Sequence, residues 1–176
     1  MVVAPSQETI PDSWIIKGFF WKRGIQFDLL QEYPDPYEGV WYQFDFPALG
    51  LTPANTFENA YAARAWHGSH WFAVASILQK GALVPGSAEP RGVYCHKNGT
   101  KSKAQGYMMH TPLGCGLFAA PMWQLSVQNY ERIRGDQWII RNENDVKIMS
   151  LHVHVLRQSE LKTGHHTINI PMVAHL

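Results

Sequence analysis

Ala65-Trp66-His67-Gly68-Ser69-His70-Trp71 runs into the apolar stretch Phe72-Ala73-Val74-Ala75-Ser76-Ile77-Leu78, which Lys80-Gly81-Ala82-Leu83 closes. Arg91-Gly92-Val93-Tyr94-Cys95 follows. The spacing predicts a strand over 64–67 that ends at His67-Gly68, a helix over 71–80 with Gly81 as its stop, and a second strand over 91–95 carrying Tyr94. Working outward, Val40-Trp41-Tyr42-Gln43-Phe44-Asp45-Phe46 reads as an aromatic strand stopped by Pro47, and Gln137-Trp138-Ile139-Ile140-Arg141 as another. Val146 to Leu156 alternates, with Val146, Ile148, Ser150, His152 and His154 predicted on one face and Lys147, Met149, Leu151, Val153 and Val155 on the other.

The remaining segments carry less regular signals. Residues 1–13 are polar and proline-broken, which predicts a loose arm in front of a single domain spanning 1–176. Trp14 to Leu30 mixes aromatic and basic residues and leaves strand and early helix both open. Thr56, Glu58 and Asn59 predict a short capped helix through Ala63. Thr100 to Met109 is composed for a helix, with Pro112 just beyond it. Leu113 to Ser126 reads as one strand and one irregular stretch, and Ile168-Asn169-Ile170 as a final edge strand. Short strands dominate, with two or three helices among them.

Composition narrows the function classes. At 176 residues with 45% apolar and 16% charged residues, the chain has the makings of one globular core rather than a disordered segment. A net charge of +1 supplies no global field for nucleic acid or an anionic membrane. The local clusters Arg132/Arg134/Arg141 and Lys97/Lys101/Lys103 read as solvated faces. No apolar run approaches the roughly 18 residues of a membrane span. The N-terminal stretch lacks a basic-then-apolar signal pattern, and the two cysteines, Cys95 and Cys115, fit a reducing compartment. The expectation is a soluble intracellular protein of cytoplasm or nucleus, with no membrane partner.

The order of His67-Gly68, the helix, Gly92-Val93-Tyr94 and a later strand at 137–140 resembles the catalytic core of ADP-ribosyltransferases of the diphtheria-toxin and poly(ADP-ribose) polymerase type, over roughly residues 60–155. The resemblance implies an α+β fold with split antiparallel sheets around a central NAD cleft and short flanking helices. It implies NAD as co-substrate, with His67 on a ribose hydroxyl, the backbone around Gly68 gripping the nicotinamide amide, and Ser69 beside them. Tyr94 is implied to stack on the cationic nicotinamide ring, where the attraction is cation–π. Ser102, eight residues on, matches a serine that binds the carboxamide. The second stacking tyrosine would fall at Gln105, so Tyr107 takes that place only if the helix register shifts.

The resembled enzymes open the later strand with a catalytic glutamate, and this chain has Gln137 there. Glutamine keeps a hydrogen bond but has no charge to oppose the cation that grows on the anomeric carbon. A contact of that kind is worth on the order of 3 kcal/mol, roughly a hundredfold in rate. The base that would activate a growing-chain hydroxyl is also lost, so polymer extension is not expected. Asp136 would reach the site only through a bulge, and Glu131 only by swinging in from the preceding segment. The expected function is mono-ADP-ribosyl transfer to a protein or nucleic-acid acceptor through His67, Tyr94 and Gln137. The alternatives are a weak or inactive module binding NAD or ADP-ribose and, with less support from the arginines, an RNA 2′-phosphotransferase.

Other ligand-type residues carry weaker signals. Cys95, His96, His110 and Cys115 lack zinc-site spacing, so no metal is expected. His152, His154, His165 and His166 read as core or surface histidines. A cysteine–His67 nucleophile pair has no surrounding oxyanion motif.

Overall fold

In the computed structural model the described residues are 10–86 and 90–159. Their strands are β1 (Asp28–Pro34), β2 (Val40–Asp45), β3 (Ala63–Gly68), β4 (Val93–Lys97), β5 (Thr111–Gly114), β6 (Leu117–Val127), β7 (Glu131–Arg134), β8 (Gln137–Ile140) and β9 (Val146–Arg157). Three helices accompany them: α1 (Asp12–Lys22), α2 (Val74–Lys80) and α3 (Lys101–Ala104). The architecture is α+β, a mostly antiparallel sheet with few short helices. The strand order is β1-β2-β9-β6-β3-β4-β8-β7, with β5 on β6.

Where two sheets were expected, a single nine-stranded sheet runs through the molecule, but it is barely joined in the middle. β3 and β4 pair only at Ala65↔Lys97 and Trp66↔His96, and beyond His67 the strands part. By contrast β6 and β9 pair along almost their full length.

Both faces of the sheet are covered. On one, Ile16 and Phe20 of α1 and Val74 and Leu78 of α2 join Phe44, Trp123, Leu125 and Leu151 in the main core. On the other, Ala104 of α3 and Met108 pack with Trp41, Trp66, Ala120 and Met122. The helix over 71–80 forms as one 3-10 turn followed by α2, and Gly81 ends it in the left-handed conformation, φ 68°.

Several local expectations are corrected. α1 begins at Asp12, so the arm can reach no further than Pro11, and the open segment 14–30 holds helix and then the start of β1. Thr56–Ala63 is not helical: Phe57 N–H donates to Ser126 Oγ, Lys147 donates to the Thr56 carbonyl, and Asn59 closes a turn onto Tyr61. These tertiary and side-chain bonds take the backbone groups that a helix would need. Leu113–Ser126 contains part of β5 and nearly all of β6, with Pro121 inside the latter. Ser69 N–H donates to the Pro121 carbonyl, so the edge of Pro121 that lacks an N–H faces β3 just where β3 ends. No ladder bond is lost there.

The alternation of β9 breaks at Met149. Gln124 pairs with Ser150 and the next residue, Leu125, with Ile148, so Met149 is an extra residue. This bulge exchanges the faces. Val146 and Ile148 therefore share the main core with Leu151, Val153 and Val155, against the single alternating pattern read from sequence. Lys101 also departs from expectation: it is packed 3.6 Å from the centroid of the Trp41 ring, and burial pushes its pKa down to about 8. Among the described residues no helix is long and apolar enough to cross a membrane. The predicted strand at 168–170, His165 and His166 lie outside the described residues.

Candidate functional site in the cleft between β3 and β4

The parting of β3 from β4 leaves main-chain groups facing a gap. Asn98 N–H donates to the Arg64 carbonyl on the β4 side of β3, whereas Ser69 N–H donates to Pro121 on the β6 side. Strand alternation then turns the N–H and C=O of Gly68, like those of Arg64, toward β4. No β4 residue pairs with Gly68. The Tyr94 carbonyl, which a continued ladder would use, is bonded instead by Nδ1 of the His67 ring at 2.5 Å. A carbonyl only accepts, so Nδ1 carries the proton and Nε2 is left as an acceptor. Burial holds the His67 pKa below its ordinary value, which keeps the ring neutral.

Gly68 is also required sterically. A Cβ there would meet the Ala104 carbonyl at 2.5 Å and Met108 N at 3.0 Å. The glycine thus lets α3 close onto β3 as well as leaving its main chain open to the gap.

A cavity of about 730 Å³ occupies the gap and continues over α2. His67, Ser69, Tyr94, Tyr107 and Gln137 line it, as do Phe72, Ile77 and Lys80 from the helical side. Ser69 Oγ accepts from the Trp123 indole at 3.0 Å and keeps its own proton to donate. Tyr94 anchors its hydroxyl on the Pro90 carbonyl at 2.5 Å, which fixes the ring in the wall. Adjoining this cavity, and sharing His67, Tyr94, Tyr107 and Gln137 with it, is a niche of about 40 Å³ whose other walls are Trp66, Gly68 and His96. Within its lining Gln137 Nε2 donates to the Tyr107 hydroxyl at 3.1 Å.

The structure brings together His67, Gly68, Ser69, Tyr94, Tyr107 and Gln137. Ser102 is apart from them, exposed on α3 and absent from both linings. The two acids near the glutamine are also held elsewhere. Asp136 is bonded by Lys103 at 2.5 Å and approached by Lys97 at 3.5 Å, an arrangement that holds its carboxyl below the usual range. Glu131 pairs with Arg141 at 3.1 Å. Neither lines the cavity or the niche.

His96 is the lining residue that motif reading passed over as a mere zinc-type ligand. Strand alternation from Tyr94 was the available signal, because residues two apart share a face. Phe72 and Ile77 were readable as helix residues only; that their face borders a cavity depends on how α2 lies against the sheet. Among the described residues no three His, Cys, Asp or Glu side chains gather as a metal site. Both cysteines are free, and burial pushes the Cys95 thiol up to about 12, away from nucleophilic chemistry. Neither the models of known protein families nor the curated proteins include a match to this chain.

Proposed function

We propose that the cleft binds NAD and that the protein is a mono-ADP-ribosyltransferase, passing ADP-ribose to a nucleophile on a protein or nucleic acid and releasing nicotinamide. The observation that carries this reading is the open main chain of Gly68 between His67 and Tyr94. An N–H and a C=O side by side on one strand edge complement a primary carboxamide, which offers an acceptor and donors in the same plane. Tyr94 and Tyr107 suit a flat cationic ring. Nε2 of His67 suits a ribose hydroxyl, and Lys80 in the outer wall supplies a cation for the diphosphate. Single transfer rather than polymer growth is favoured because Asp136 and Glu131, the nearby carboxylates, are engaged by Lys103 and Arg141.

The niche has room for only about three waters, taking ~10–15 Å³ for each. For a nicotinamide ring to enter, Tyr107 must rotate away from Gln137; at 54% exposure it has space to do so. Gln137 also favours a second reading, a module that binds NAD or ADP-ribose without transfer, since its amide supplies no charge.

Titration calorimetry with NAD and with 3-aminobenzamide tests the ligand. Heat of binding is expected with both, and none at millimolar ligand with folded protein overturns the proposal. Incubation with NAD labelled in the adenylate part then separates the readings, because transfer leaves label on acceptor and mere binding does not.

A further inference from the structure

His96 lies directly opposite Gln137 in the β4–β8 ladder, so the two side chains leave the sheet on the same face. It is 8% exposed and lines the small niche with His67 and Tyr107. Its ring stands 5.4 Å from that of Tyr107, and among the described residues neither ring nitrogen has a hydrogen-bond partner. A nearly buried imidazole with an open lone pair thus adjoins the glutamine that cannot take a proton. The groups facing it are Lys103 from α3, Asp136 from the turn before β8, His67 from β3, and Tyr107 and Tyr94. Burial first and Lys103 second hold its pKa down, while Asp136 acts in the opposite sense. The ring is neutral at pH 7.

We propose that His96 is the general base of the transfer step, accepting the proton that a glutamate would otherwise draw from the attacking group. This rests on the NAD reading of the cleft. The bond from the anomeric carbon to nicotinamide breaks, its electron pair passing to the ring nitrogen and neutralising it. The acceptor oxygen bonds to the anomeric carbon, and its proton moves to an imidazole nitrogen of His96 and then to solvent. With water as acceptor the products are ADP-ribose, nicotinamide and one proton. Gln137 orients the ribose, and His96 supplies the basicity.

The test is nicotinamide release from NAD by the full chain across pH 5–9, for the wild type, His96→Ala and His96→Gln, with NAD affinity measured alongside. Both variants are expected to bind NAD within about threefold of wild type and to lose about a hundredfold in rate, the low end for general-base catalysis. The acid-side fall of the wild-type profile should disappear, and added imidazole should restore rate to His96→Ala. The glutamine variant preserves a polar side chain of similar bulk should the alanine variant not fold. An unchanged rate and pH profile in a folded variant overturns the proposal. So does a rate loss that imidazole does not rescue and that leaves the pH profile intact. Wild type that binds NAD but releases no nicotinamide overturns the base while leaving the ligand reading standing. Wild type that binds no NAD removes both.

Discussion

Gln137 presents an amide to the cavity, and its Nε2 is bonded to Tyr107 at 3.1 Å. Under the proposed chemistry, Gln137→Glu sets a carboxylate against the developing cation and should raise nicotinamide release tenfold or more, an order-of-magnitude expectation for one preorganised charge. A steady-state assay checks it, and an unchanged rate removes residue 137 from the reacting centre. Tyr94→Ala should weaken nicotinamide-analogue binding by about 1–2 kcal/mol. A melting temperature that collapses instead would make that ring structural. At Gly68 the constraint is steric: a methyl 2.5 Å from the Ala104 carbonyl forces α3 off β3. Gly68→Ala should cost about 1–3 kcal/mol, read from the shift of a denaturant midpoint. Parts of this site were legible because they sit on strands with short-range signals: His67-Gly68 at a strand end, Tyr94 after Gly92, Gln137 opening β8. Ser102 lies outside both linings, and spacing along a chain does not say which way a four-residue helix turns a side chain. His96 went unassigned because its environment is made by Gln137 and Tyr107, distant in sequence.

β3, α2, β4 and β8 fall close to their sequence-predicted bounds because each carries its own period and stop signals. The bulge at Met149 leaves no such trace. It is a property of the β6–β9 pair, and both halves of β9 keep an innocent alternating pattern on either side. Pro121 inside β6 is tolerated for a related reason, since the harm a proline does depends on whether the neighbouring strand still needs its N–H. The bulge makes a testable claim about packing. Ile148 and Leu151, which unbroken alternation would place on opposite faces, both sit in the main core at 1% and 0% exposure. Ile148→Ala and Leu151→Ala should therefore each cost about 2–5 kcal/mol in urea unfolding. A surface-like cost for either would argue against its place in the main core.

Across the whole molecule, the face of the sheet that carries α3 hides a chain of polar groups. His152 Nδ1 meets the Tyr33 hydroxyl at 2.7 Å, and His110 Nε2 meets His154 Nδ1 at 2.8 Å. Burial pushes the pKa values of His152 and His110 down from 6.5 to about 3. In the unfolded chain both return to ordinary values, so above pH 6.5 neither state binds the extra protons and stability is flat on their account. As pH falls from 6.5 toward about 3 the unfolded chain gains protons that the native fold refuses, and stability declines. The slope approaches about 1.4 kcal/mol per pH unit for each histidine. Urea midpoints between pH 7 and pH 5 should follow it, and His152→Gln should shallow the dependence.

The two-residue seam between β3 and β4 has a dynamic consequence. Four ladder positions hold β4 to β8, whereas the ladder joining β4 to β3 has two, at Ala65 and Trp66, flanked by the Asn98–Arg64 and His67–Tyr94 bonds. Cooperative opening follows the weakest line of cross-links, so β4, β7 and β8 form a subglobal unit able to come away at lower free energy than the β6–β9 centre. In amide hydrogen exchange, Val93–Lys97 and Gln137–Ile140 should lose protection well before Trp123–Val127. A molecule lodged in the gap would then stitch the two units together, slowing exchange in β7, which lines neither cavity nor niche, as well as in β4 and β8, and making occupancy legible as rigidity.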